Sequence, residues 1–64
     1  MTFKRGQRVK LTREAEKQGL RGRKNRTGCG TVVRETRDRQ FVIVKQDGCL
    51  SANGYYPGFW RTIQ

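Results

Sequence analysis

Histidine is absent from this chain, and serine occurs only at Ser51. General acid–base catalysis draws mainly on histidine or on a pair of converging carboxylates. Five acids are present. The closest two, Glu14 and Glu16, diverge on a helix, because residues two apart do not share a face. Asp38 and Asp47 fall in predicted turns, where an aspartate ordinarily bonds nearby backbone. A thiol nucleophile would lack an imidazole partner. Two cysteines, Cys29 and Cys49, are too few for a four-ligand thiolate metal site. The composition predicts a protein that is not an enzyme and that takes no metal or cofactor.

Long apolar runs are missing as well. No stretch approaches the length needed to cross a bilayer, and residues 1 to 10 lack the apolar core of a secretory signal. The expectation is a cytoplasmic protein with no membrane partner, in which Cys29 and Cys49 stay reduced. Leu, Ile, Val and Phe together supply thirteen of the 64 residues. So few large apolar residues build one thin core, and the whole chain, residues 1–64, reads as a single small domain.

What the chain has in quantity is positive charge. Fifteen lysines and arginines oppose five acids, for a formal charge of +10. The first thirty residues hold ten of the bases and only two acids, a balance of +8. The remaining residues hold five bases and three acids, a balance of +2. Residues 17 to 26 are densest, with five bases and no acid. Clustered positive charge without partners points to a polyanion, and nucleic acid is the first candidate.

Alternation of polar and apolar residues over 7 to 12 predicts a half-buried strand with Val9 and Leu11 inward. Thr12 then suits an N-cap for a short helix over 13 to 18. Gly19 suits the left-handed position after the helix, and Leu20 can pack back on Ala15. Residues 21 to 28 contain no apolar side chain and predict an exposed loop. Strands are expected over 30 to 35 and 40 to 45, joined by a polar turn. Asp47 and Gly48 form another turn. Residues 49 to 58 read as irregular, with Pro57 and Gly58 in a type II turn, and 59 to 63 as a last strand. The fold class is all-β: a small barrel of four or five short antiparallel strands, with one short helix between the first two.

The spacing Gly6-x-x-Val9-x-Leu11-Thr12, Gly28-x-Gly30-x-Val32, Val42-x-Val44-x-x-Asp47-Gly48 and Tyr56-x-x-Phe59 resembles the SH3-like (Src-homology-3 type) barrels of bacterial and phage proteins. The first half is also distantly similar to KOW-motif domains, in which a basic glycine-bearing loop between two strands contacts RNA or DNA. Two departures stand out. The segment between Leu11 and Gly30 is longer than a KOW loop, and position 46 is Gln where the barrels often carry Trp, a position expected at the surface. The resemblance implies the barrel fold and a nucleic-acid or assembly role.

Three groups of residues are candidates for function. Arg21, Arg23, Lys24 and Arg26 in the loop can engage phosphates, the arginines with forked bonds. Lys10, Arg13 and Lys17 extend that patch. Among the C-terminal aromatics, Trp60 is expected to point outward if Phe59 points inward, which makes it the candidate for stacking on a base. Phe41 and Ile43 share the strand face opposite Val42 and Val44. Either the helix covers them or they form an interface. The leading expectation is a nucleic-acid-binding barrel that contacts phosphates and tolerates sequence. The alternatives are a module that docks on an acidic protein surface, and a structural subunit that self-associates.

Overall fold

The computed structural model describes residues 3–63. Five strands form one antiparallel sheet in the order β4-β3-β2-β1-β5. They are β1 (Arg8–Leu11), β2 (Cys29–Glu35), β3 (Val42–Gln46), β4 (Ala52–Tyr55) and β5 (Trp60–Thr62). One short helix, α1 (Arg13–Lys17), lies between β1 and β2. The expected class therefore holds: an all-β antiparallel sheet with a short helix in its first connection.

The core follows from the two-residue period of the strands. Val9 and Leu11 of β1, Val32 of β2, Val42 and Val44 of β3 and Trp60 of β5 point to one side and are buried. Phe3 and Ala15 join them. A β-bulge between Val32 and Arg34 breaks the β2–β3 register and leaves Val33 without a cross-strand partner. Such a bulge bends the strand and increases its twist. The bent sheet wraps its own core, and the molecule measures 28 × 23 × 21 Å.

The helix ends where the sequence says it should. The Thr12 hydroxyl accepts a bond from the Ala15 amide at 3.2 Å. At the other end Gly19, with φ +78°, donates to Glu16, and Leu20 donates to Ala15. These two bonds close a Schellman motif. Five residues cannot hold a helix alone, so burial of Ala15 in the core fixes its place.

Several expectations need correction. Residues 49 to 58 are not irregular throughout, because β4 occupies 52 to 55. Its composition, Ala-Asn-Gly-Tyr, carries little strand propensity. Pairing with β3 overrides it, from Lys45 opposite Ala52 to Val42 opposite Tyr55. Pro57–Phe59 forms a 3-10 turn, not a type II turn, and Gly58 has no positive φ. That turn takes Phe59 out of the last strand, so β5 begins at Trp60, opposite Leu11. Trp60 consequently faces inward and is 2% exposed. It cannot be the stacking platform. Position 46 is also inward, since Gln46 follows Val42 and Val44 on the same strand face and is buried.

Candidate nucleic-acid interface

Glutamine at the end of a core-facing row would be costly without partners. Gln46 has four. Its side-chain oxygen accepts from the Gly22 amide at 2.8 Å and from Asn25 Nδ2 at 2.9 Å. Its side-chain nitrogen donates to the Leu20 carbonyl at 2.9 Å and to the Tyr55 hydroxyl at 2.8 Å. That uses the full capacity of one side-chain amide. Asn25 lies within the basic loop yet is buried. Its nitrogen also donates to the Cys29 carbonyl at 3.0 Å, and its oxygen accepts from the Gly28 amide at 3.1 Å. The loop over residues 21 to 28 is thus clamped to β3 by two buried amides. Gly48, at φ +82°, lets the β3–β4 turn approach the Lys24 carbonyl, where any β-carbon would collide.

The clamp holds the backbone and leaves the bases outside. Arg21, Arg23, Lys24 and Arg26 are all exposed. Arg21 is partly neutralised, because its guanidinium lies 3.5 Å from Glu16. Arg23, Lys24 and Arg26 have no acid partner among the described residues. Arg13 and Lys17 are exposed on α1. They are four apart and share one helix face. Glu16 of the same helix reaches the loop at both Arg21 and Gly28.

Lys10 stands on the outward side of β1, where the register sets it directly opposite Arg61 of β5 and Cys29 of β2. Like charges opposite one another destabilise a sheet. Among the described residues no acid forms an ion pair with either of them. Arg8, two residues away on the same side, behaves differently. It grips Asp47 with two bonds at 2.8 and 2.6 Å and also donates to the Thr31 hydroxyl. Thr31 lies opposite Lys45. The outward surface of β1, β2 and β5 is therefore basic and adjoins the loop through Thr27, whose hydroxyl lies 3.5 Å from Asp47. No pocket indents the described residues. Among them no three Cys, Asp or Glu side chains gather to hold a metal. Cys29 and Cys49 are free and half-buried. No helix of the described residues is long and apolar enough to cross a membrane.

Arg61, Asn25 and Gln46 were not selected from sequence. Arg61 matters only through a cross-strand register. Asn25 looks like one more polar loop residue until its burial is seen. Phe41 and Ile43 are half-buried on the outward side of β3, and the helix does not cover them, since α1 packs beside β1. Phe41 instead packs on Tyr56, with ring centroids 5.1 Å apart.

The Arg8–Asp47 pair gives the site a pH dependence. The hydrogen bonds from Arg8 hold the Asp47 carboxyl below its usual range against the opposing effect of burial, with Thr27 and Lys45 adding to the depression. A depressed carboxyl stabilises the fold above its unfolded pKa of about 3.9, and that contribution disappears as pH falls through the folded value. Thermal melts should show a loss on acidification from about pH 4 downward that Asp47→Asn removes in part. Both side chains are substantially exposed, so the effect should stay within about 1 kcal/mol. A variant that melts in parallel with the unmodified protein at every pH would refute it.

Comparison with protein families, curated proteins and solved structures finds no match for this chain.

Proposed function

We propose that this protein is a non-enzymatic nucleic-acid-binding barrel of the SH3-like kind. It grips phosphates through the basic loop and the adjoining outward face of β1 and β5. One observation carries the reading: a buried Asn25–Gln46 clamp fixes a loop whose bases Arg23, Lys24 and Arg26 have no acid partners. A loop that served only solubility would need no buried amides beneath it. Lys10 beside Arg61 adds to the case, because an anion laid across both would relieve their repulsion. Phosphate contacts position a protein without reading sequence, so binding is sequence-tolerant. In this reading the protein is an accessory or regulatory factor in the cytoplasm of a bacterial or phage-infected cell.

The test is a titration with DNA and RNA oligonucleotides at about 0.05 M and 0.2 M salt. With about four phosphates neutralised, log K falls against log salt with a slope of about −3 to −4. Changing Arg23, Lys24 and Arg26 together to Ala should make the slope shallower by about 2 to 3. No binding at the lower salt would sink the proposal and leave an acidic protein surface as the partner to seek.

A second reading, self-association, has its own observation. Residues 48–60 carry no charge in a chain at +10. They include β4, an edge strand paired only to β3. Natural edges are usually blunted by charge or proline. Two copies could meet here without opposing like charges, with Leu50 of the β3–β4 turn, which is 92% exposed, and Ile43, opposite Gly54 of β4, brought under cover along with Phe41 at the other end of the strand pair. Sedimentation of the same samples decides it, and a monomer at every concentration removes this reading.

A further inference from the structure

The inward turn of Trp60 leaves the question of where an unpaired base would rest. One aromatic ring is well exposed: Tyr56, at 60%. Its ring is nonetheless held on two sides. Phe41 packs against it at 5.1 Å between centroids, and Phe59 meets it edge-on at 6.0 Å. The Tyr56 backbone is fixed as the cap of the 3-10 turn, accepting from the Phe59 amide at 3.1 Å. A large exposed ring that packing has already oriented loses little freedom when a flat partner stacks on it.

The surroundings are open and basic. Alternation along β4 turns Ala52 and Gly54 to the same outward side as Tyr56, so the strand beside the ring bears no large side chain. The sheet register continues from Gly54 through Ile43 to Arg34. Phe41 is tied at both its amide and its carbonyl to Thr36, at the start of the turn that carries the exposed Arg37 and Arg39. Asp38, the acid of that turn, is occupied by the Thr36 hydroxyl and the Gln40 amide. These hydrogen bonds pull its carboxyl below its usual range. Lys45 follows Phe41 on the outward side of β3, four residues along. That is about 13 Å at the usual strand rise, and Lys45 continues across the sheet through Thr31 to Arg8. The outward surface therefore runs from an aromatic end to the basic face already described.

We infer that Tyr56 is a base-stacking platform, and that the protein prefers single-stranded nucleic acid, placing one unpaired base on Tyr56 and the adjoining phosphates on Lys45 and the basic face. The inference rests on the phosphate-binding reading and deepens it. Stacking needs a base free of its partner strand, which a duplex cannot offer without unpairing. The exposed Arg34, two strands across the sheet from Gly54, and Arg37 and Arg39 of the turn tied to Phe41 offer the same nucleic-acid strand further phosphate contacts.

The experiment compares a 12-nucleotide oligothymidylate with a 12-base-pair duplex at about 0.05 M salt, for the unmodified protein, Tyr56→Ser and Tyr56→Phe. Circular dichroism confirms folding of each. The unmodified protein should favour the single strand. Tyr56→Ser should lose at least about fivefold in single-strand affinity with little change for the duplex, and Tyr56→Phe should stay within about twofold. Unchanged single-strand binding by Tyr56→Ser, with both ligands still bound, would overturn the platform and leave the basic site standing. Failure of the unmodified protein to bind either ligand would overturn both. If Tyr56→Ser instead converts a dimer to a monomer in sedimentation and spares single-strand affinity, Tyr56 is an interface residue and the inference fails.

Discussion

Replacing Gln46 with Ala should lower the melting temperature by at least about 12 °C and weaken nucleic-acid binding, although Gln46 touches no solvent-facing base. The substitution removes the partner of one Asn25 side-chain N–H, of the Gly22 N–H, of the Leu20 carbonyl and of the Tyr55 hydroxyl at once. Each unsatisfied buried group costs about 1 to 3 kcal/mol, less wherever water enters the space left behind. A net loss of about 3 kcal/mol is a conservative sum, and in a domain this size each kcal/mol moves the midpoint by about 4 to 8 °C. Gln46→Met keeps the volume and removes the bonds, so it should be almost as damaging. If Met rescues stability, packing and not hydrogen bonding holds the loop. The binding defect should appear below the melting transition, because the loop loosens before the sheet fails.

The second large effect is expected at Trp60. Trp60→Ala removes the largest fully buried side chain and should cost about 3 to 5 kcal/mol. Total stability for 64 residues is on the order of 3 to 10 kcal/mol, so much of the variant should be unfolded at room temperature. Trp60→Phe should be far milder. It gives up volume, but it also removes the indole N–H, which is buried and has no hydrogen-bond partner. Urea melts followed by circular dichroism would rank the two. A non-aromatic replacement tests the assignment of the site. Trp60→Leu, where circular dichroism shows it folded, should leave oligonucleotide affinity unchanged, whereas a base platform at Trp60 would lose its stacking ring.

The fold was legible where local chemistry and long-range packing agree. Thr12, Gly19 and Leu20 announce the helix ends because capping is decided within a few residues. The Val42 and Val44 pattern announces β3 because branched residues alternate there with an outward partner. Two kinds of information were out of reach. Propensity argues against β4, and only pairing with β3 creates it. The side to which Trp60 points depends on whether Phe59 belongs to a strand or a turn, and one residue of difference reverses it. The candidate site divides the same way. The loop bases are visible as composition. The Lys10–Arg61 juxtaposition and the Asn25–Gln46 contact join residues far apart in sequence, 51 and 21 positions respectively, and no local pattern encodes them.

The Asn25–Gln46 contact also makes the loop conditional. Its anchor lies on β3, which the chain supplies only after β2 and the following turn, so the loop cannot be ordered before the sheet is. Loop order is then coupled to sheet integrity, because the ordered loop exists only on a formed β3. A polyanion that binds only the ordered loop must raise the stability of strands it does not touch, by RT ln(1 + [L]/Kd). Slowed amide hydrogen exchange along β3 on adding oligonucleotide would register that coupling.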